Sequence, residues 1–411
     1  MGVFAEFCDS RRLFGRASWG IDCANGGSVG AVEIHEIGRA GARTEPAEKP
    51  MKILFVDLER EWRGGQSQAF LTLRGLRDEG HEVVLVAPKG APLTERVANV
   101  GGIPVRCVPM LGMRPWAAFA IRKLLGEKKF DLVHVNEPHA LTAAWFAKAH
   151  QKVPIVLSRR IGFPLKKTWI ARARYGALTR FLANCKDVEQ SLVRSGVEQS
   201  RIAIVNEGVE VPPRTSPEER AAAREIWKIK REEFLFGCVG VFVPEKGQRH
   251  LIGALAILQK QFPHAHLILA GDGKCRGNLE ALARELGITD AVIFTGFLSD
   301  VKPVYAALDA FVFPSEFEGL GTALQSAMVL GLACVSTARG GLAEVVDAER
   351  TVLVAEPGAK EFAAAMQRLI ADELLRKKLG DAARGEIQER FSDLRMVKRT
   401  IEVYEEVCAG K

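Results

Sequence analysis

The sequence predicts an α/β protein made of two Rossmann-like, doubly wound parallel-sheet domains that face each other across a cleft. Three observations lead there. At 411 residues the chain exceeds what one ordinary hydrophobic core organises. From Met51 onward, short apolar strand-like runs alternate with helical patterns, as in a parallel sheet covered on both faces. The run Pro212-Pro213-Arg214-Thr215-Ser216-Pro217 then breaks the rhythm, and a second alternation of the same kind follows.

Composition narrows the class. With 47% hydrophobic and 26% charged residues the chain is globular, and its formal net charge of +7 suits phosphates or anionic lipid. A basic soluble enzyme accounts for that charge as well. Nucleic acid is not an expected partner, because Tyr numbers only three and no long Lys/Arg run is interleaved with aromatics. The eight cysteines (Cys8, Cys23, Cys107, Cys185, Cys238, Cys275, Cys334, Cys408) include no C-x-x-C pair, which argues against zinc ligation and a disulfide framework and suits the reducing cytoplasm. No apolar run approaches the roughly 18 to 20 residues that cross a bilayer.

Residues 1–50 hold eight glycines and mixed charges without a sustained period, and read as a disordered or non-native leader before a functional start at Met51. The first domain, 51–211, has strands expected at Ile53 to Asp57, Glu82 to Ala87, Pro104 to Val108, Leu132 to Asn136, Ile155 to Ser158, Arg180 to Ala183 and Ile202 to Val205, with helices such as Gln66 to Asp78 and His139 to Ala149 between them. Residues 212–233 form a linker whose charged part, Glu218 to Glu233, leads into the second domain, 234–392. There the strands are Phe234 to Val241, His266 to Ala270, Ala291 to Thr295, Ala310 to Phe313, Ala333 to Ser336 and Thr351 to Val354. Residues 393–411 supply an amphipathic helix, Asp393 to Val407, expected to pack back toward the first domain.

The chemistry gathers where strands end, since open α/β sheets bind ligands at the carboxyl ends of their strands. In Phe313 to Met328 a buried strand delivers the chain to an acidic, glycine-bearing loop, and a helix opens near Thr322. Its first N–H groups lack internal partners and face the positive end of the helix dipole, so they can hold a phosphate. Glu318 stands just ahead of those amides, where a carboxylate can contact whatever the phosphate carries. Arg63-Gly64-Gly65-Gln66 opens the first helix and allows close backbone approach to a ligand, although a structural turn explains it too.

Asn136-Glu137-Pro138-His139 ends the fourth strand and puts His139 in reach of proton transfer; a capping Asn and a surface His explain the same residues. Arg159 and Arg160 end the fifth strand and suit an anionic acceptor, or form an ordinary solvated pair. Lys246, in Pro244-Glu245-Lys246-Gly247, begins a helix and offers a point charge to a diphosphate. Gly271-Asp272-Gly273 turns on the cleft side, and Phe297-Leu298 either walls a base or belongs to the core.

Taken in order, the Gly64-Gly65 loop, Asn206-Glu207-Gly208-Val209, Pro244 to Gly247, Ala270 to Gly273, Phe313-Pro314-Ser315 with Glu318-Gly319-Leu320-Gly321, and Ser336 to Glu344 make the chain from Met51 to about Gly410 resemble the family 4 retaining glycosyltransferases of the GT-B fold (glycosyl transferases group 1). The resemblance implies transfer of a sugar, with retention, from a nucleotide-diphosphate sugar to a cell-envelope acceptor such as a lipopolysaccharide or polysaccharide precursor. It implies Glu318, His139 and Asn136 at the chemistry. Donor contacts would come from Gly64, Gly65, Gln66, Lys246, Gly271, Phe297, Leu298, Gly319, Leu320, Gly321, Thr322 and Ser326, and acceptor contacts from Arg159 and Arg160. No cofactor and no metal are implied, and peripheral docking on the inner face of an anionic membrane is compatible with Lys128-Lys129 and Lys166-Lys167. The chain departs from the family at Ser326, preceded by Gln325, where a second glutamate is usual, and at Val241, where an arginine is usual. A sugar-nucleotide epimerase or hydrolase of the same fold, or a non-catalytic nucleotide-sugar-binding protein, is the alternative.

Overall fold

The computed structural model describes residues 49–110 and 113–410. The expected leader, apart from its last two residues, lies outside them, as do Cys8 and Cys23.

The first domain runs β1 (Lys52–Val56), α1 (Gly64–Asp78), β2 (Glu82–Pro88), α2 (Pro92–Val100), β3 (Val105–Val108), α3 (Met113–Glu127), β4 (Leu132–Val135), α4 (Pro138–Phe146), β5 (Ile155–Arg159), α5 (Trp169–Gly176), β6 (Arg180–Ala183), α6 (Lys186–Arg194) and β7 (Ile202–Ile204). Its seven strands are all parallel, in the order β3-β2-β1-β4-β5-β6-β7. β1 and β4 are buried along nearly their whole length because helices cover both faces of the sheet, which is why they read as unbroken apolar runs.

The second domain runs α7 (Pro217–Ile226), β8 (Phe234–Val239), α8 (Gln248–Leu258), β9 (Ala265–Ala270), α9 (Arg276–Glu285), β10 (Val292–Gly296), α10 (Lys302–Ala307), β11 (Ala310–Phe313), α11 (Thr322–Val329), β12 (Ala333–Ser336), α12 (Leu342–Val345), β13 (Leu353–Val354), α13 (Ala359–Ala371) and α14 (Glu373–Arg390). Its six strands are again parallel, in the order β10-β9-β8-β11-β12-β13. The last helix, α15 (Asp393–Ala409), buries Val397, Val403, Tyr404 and Val407 in one cluster with Ile53, Phe55 and Leu73 of the first domain. The chain crosses back beside Val209, whose N–H donates to the Phe391 carbonyl at 2.9 Å while its own carbonyl accepts from Asp393 N at 3.0 Å.

Two local expectations differ. The charged segment after Ser216 is not bare chain: Ser216 and Glu219 form a capping box for α7, and Arg220 and Arg224 anchor that helix on Asp309. Lys246 does not begin a helix. It closes a 3-10 turn, Pro244–Lys246, and Gly247 (φ 66°) reverses the chain before α8. A Cβ on Gly247 would lie 2.4 Å from the Pro314 carbonyl oxygen, so only glycine lets this turn reach the β11 loop.

Candidate active site

Both sheets reverse their winding between two adjacent strands, β1 and β4 in the first, β8 and β11 in the second. Such switch points open a crevice at the strands' carboxyl ends. The loops leaving these four strands carry most of the candidate residues.

In the second domain, β11 ends at Phe313, the acidic loop follows, and Gly321 (φ 65°) turns the chain into α11 at Thr322. No side chain caps that helix, so its first amides keep their donor capacity. The loop is braced on several sides: Glu316 N donates to the Glu245 carbonyl at 2.8 Å, Thr337 Oγ1 to the Ser315 carbonyl at 2.5 Å, and Gly341 N to the Glu318 carbonyl at 3.1 Å. The Lys246 ammonium forms an ion pair with Glu318 and lies 5.7 Å from the Phe313 ring centroid. A cation, a carboxylate and a helix N-terminus thus meet in one place, suited to a diphosphate bearing a hydroxylated group.

The first domain closes over this cluster. A Cβ on Gly64 would lie 3.4 Å from Thr322 Oγ1, and one on Gly319 would lie 2.7 Å from Asn184 Nδ2 and 2.9 Å from the Arg160 carbonyl. Phe163 stacks on Phe317 with centroids 5.0 Å apart, and Lys186 N donates to Glu344 Oε1 at 2.5 Å.

Beneath the Gly64-Gly65 loop is a buried polar network. Asp57 accepts from Glu59 N (3.0 Å), Gln66 Nε2 (3.2 Å) and Asn136 Nδ2 (2.5 Å), and Asn136 Nδ2 also lies 3.3 Å from the Gly65 carbonyl. Arg160 Nε is 3.1 Å from Glu207 Oε1, and Arg160 Nη1 donates to the Asn136 carbonyl at 3.2 Å. Burial pushes the Asp57 and Glu207 carboxyls up, against the pull of their donors and of Arg160. His134, bonded to Tyr404 and Ser158, is held down to about 3, by burial first and by Arg160 second. The network holds the Gly64-Gly65 loop from beneath, through Asn136 Nδ2 and the Gly65 carbonyl.

Several expected contacts are corrected by this geometry. Asn136 is buried with its amide turned inward, so it positions the glycine loop; nor is it the cap of α4, a role taken by Glu137, which accepts from His139 N and Ala140 N. Gln66 is likewise buried on Asp57. Arg160 is committed to Glu207 and is no solvated arginine waiting for an anion, while Arg159 is half-buried and donates from Nη2 to the Phe163 carbonyl at 2.6 Å. Ser326 bonds back to the Thr322 carbonyl of its own helix at 2.8 Å, and Gln325 is fully buried. The Leu320 side chain is core. Gly271 is a packing glycine, since a Cβ there would lie 2.0 Å from the Gly240 carbonyl oxygen. Phe297 is exposed while Leu298 packs on the core.

In the sequence Asp57 is the end of an expected strand and Glu207 one residue of a longer motif, and neither stands out as part of a buried network. Both are carboxylates inside or beside apolar runs, the one signal that marked them.

His139 stands apart from that network. It lines an open cavity of about 590 Å³ with Glu59, Arg60, Met113, Arg114 and Phe146, and its imidazole is pushed down by burial and by the Arg114 charge. Among the described residues no group of three or more His, Cys, Asp or Glu is placed to hold a metal ion.

Two Rossmann-like parallel-sheet domains that meet across a cleft at their switch points have the architecture of the GT-B fold. Residues 219–386 match the family model for glycosyl transferases group 1, and residues 62–211 match that for glycosyltransferase family 4. With both domains matched, the chain belongs to this family and is a glycosyltransferase. It is 23% identical over 381 residues to the UDP-Gal:alpha-D-GlcNAc-diphosphoundecaprenol alpha-1,3-galactosyltransferase of Escherichia coli, covering 88% of this chain and 98% of the relative. It is 36% identical over 155 residues, 38% of this chain and 44% of the relative, to the lipopolysaccharide core biosynthesis glycosyltransferase LpsE of Rhizobium meliloti. In fold it is similar to HepE of Anabaena, solved with UDP and glucose, at a TM-score of 0.75 and 21% identity over 86% of this chain and 99% of that one.

Proposed function

We propose that the protein transfers a sugar, with retention at the anomeric carbon, from a nucleotide-diphosphate sugar to a lipopolysaccharide or polysaccharide precursor of the cell envelope. The observation that carries this reading is the Lys246–Glu318 pair at the uncapped start of α11, facing Gly64 across the cleft. Lys246 and the α11 amides meet the charge that develops on the departing diphosphate, and Glu318 receives the donor sugar's hydroxyls. Positive protein groups supply that stabilisation, so the reaction needs no metal in this reading. The two relatives named above support an envelope acceptor.

The protein works in the cytoplasm at the surface of an anionic membrane. Trp116 and Phe119 on α3 and Trp169 and Ile170 on α5 are exposed beside Lys123, Lys166 and Lys167. No helix among the described residues is long and apolar enough to cross a membrane.

A thermal-shift screen against UDP-, GDP- and ADP-sugars tests the donor reading. One donor raises the melting temperature and is slowly hydrolysed in EDTA, and Glu318→Ala abolishes turnover without unfolding the protein. Binding without turnover across donors and acceptors would instead mean a binding protein, and a changed sugar configuration without acceptor would mean an epimerase. Co-sedimentation with phosphatidylglycerol vesicles, lost in Trp116→Ser/Trp169→Ser, tests the membrane reading.

A further inference from the structure

We propose that the cavity lined by Arg60, Arg114, His139 and Phe146 is the acceptor site, and that it takes a phosphorylated amphiphile, a lipid-linked acceptor whose phosphate is held by the two arginines. The inference rests on the glycosyltransferase reading and names the substrate class of its acceptor side.

The first argument is charge. Of the arginines that the sequence offers most visibly to an anion, Arg160 is held by Glu207, and neither it nor Arg159 lines this cavity. Arg60 and Arg114 are exposed and line the cavity, and neither is paired with a carboxylate among the described residues. Arg60 Nη2 is steadied by the Met110 carbonyl at 2.8 Å, which leaves the rest of its fork available. Glu59 is the one carboxylate on the wall, so the lining carries a net positive charge and suits a phosphate ester better than a neutral saccharide.

The second argument is shape and polarity. Phe146 forms one side of the cavity and is 61% exposed. Beyond Pro115, another lining residue, α3 turns Trp116 (53% exposed) and Phe119 (60% exposed) outward, three positions apart and so on one helix face. A cavity with two arginines and an exposed Phe146 on its wall, and with Trp116 following the lining residue Pro115 in the chain, fits an amphiphile with a charged head and an apolar tail.

The third argument is position. Leu58, Glu59 and Arg60 begin the loop that ends in Gly64, the residue facing Thr322. The same loop is tied to the α4 start, since Leu58 N donates to Glu137 Oε1 at 3.2 Å. The cavity therefore opens on the element that closes over the donor cluster.

The test is direct binding of farnesyl diphosphate to the full chain by calorimetry, with farnesol and inorganic diphosphate as the two halves of the probe and UDP as the donor-site control. Farnesyl diphosphate binds, and each half alone binds weaker by about tenfold or more. Arg60→Ala/Arg114→Ala weakens it by about 10- to 100-fold while leaving UDP binding and the melting temperature unchanged. Lys246→Ala does the reverse, weakening UDP and sparing farnesyl diphosphate. Equal binding by the double arginine variant, or competition by UDP that Lys246→Ala abolishes, would overturn the site. Inorganic diphosphate binding as tightly as the prenyl ester would overturn the lipid-linked class. Failure to bind UDP would strike the donor reading and not this one.

Discussion

Arg160 and Glu207 form a buried ion pair, 3.1 Å from Nε to Oε1, in the floor beneath the Gly64-Gly65 loop. Removing one partner strands the other charge away from water. Arg160→Met should therefore cost about 3–5 kcal/mol of stability, and Arg160→Met/Glu207→Leu should recover most of it. Urea unfolding of the two variants measures the difference. Activity should stay low in the double variant, because the bond from Arg160 to the Asn136 carbonyl is lost in both.

Lys246 and Glu318 satisfy each other before a donor arrives. Glu318→Gln should therefore tighten UDP binding by releasing Lys246, while lowering sugar transfer. Lys246→Ala should lower kcat by about 10²- to 10³-fold, the cost of one stabilising group on a leaving oxyanion. Isothermal titration with UDP and steady-state rates separate the two effects, and weaker UDP binding in Glu318→Gln would sink this account.

Acid should destabilise the fold through His134. Its ordinary value is 6.5, and burial with the Arg160 charge holds it down to about 3 in the folded protein. Below pH 6.5 the unfolded chain takes up a proton that the folded chain refuses. The stability that the neutral ring retains above that pH is therefore lost as pH falls toward 3, at up to about 1.4 kcal/mol per unit. Asp57 and Glu207, both raised, act with the opposite sign in the wild type and in His134→Gln alike. The difference in urea midpoint between these two proteins should thus change with pH across this window, and a constant difference would refute the assignment.

Gly319→Ala should impair activity more than stability. The new methyl meets Asn184 and the Arg160 carbonyl of the facing domain, not the core of its own. Transfer should fall while the melting temperature moves little, and small-angle scattering should show the domains further apart.

Much of the architecture was legible in the chain. Alternating apolar runs mark buried parallel strands because both faces of each sheet are covered, and β6, β11 and β12 coincide with the runs that announced them. The start of α11 at Thr322 was legible for a local reason: Gly321 supplies the left-handed residue from which the helix opens. These are properties of neighbours along the chain, and sequence order carries them.

What the tertiary structure alone decided is which polar side chains face the cleft and which face inward. Asn136 and Gln66 looked like ligand contacts because they end a strand and open a helix, yet both turn onto Asp57, a carboxylate brought beside them by the pairing of β1 with β4. Arg160 looked like an anion receptor until Glu207, 47 positions later, was placed against it. Arg60 and Arg114 lie 54 positions apart in no shared motif, and only the fold sets them around one cavity. A buried charge must find a partner, and that partner is chosen by topology, not by spacing along the chain.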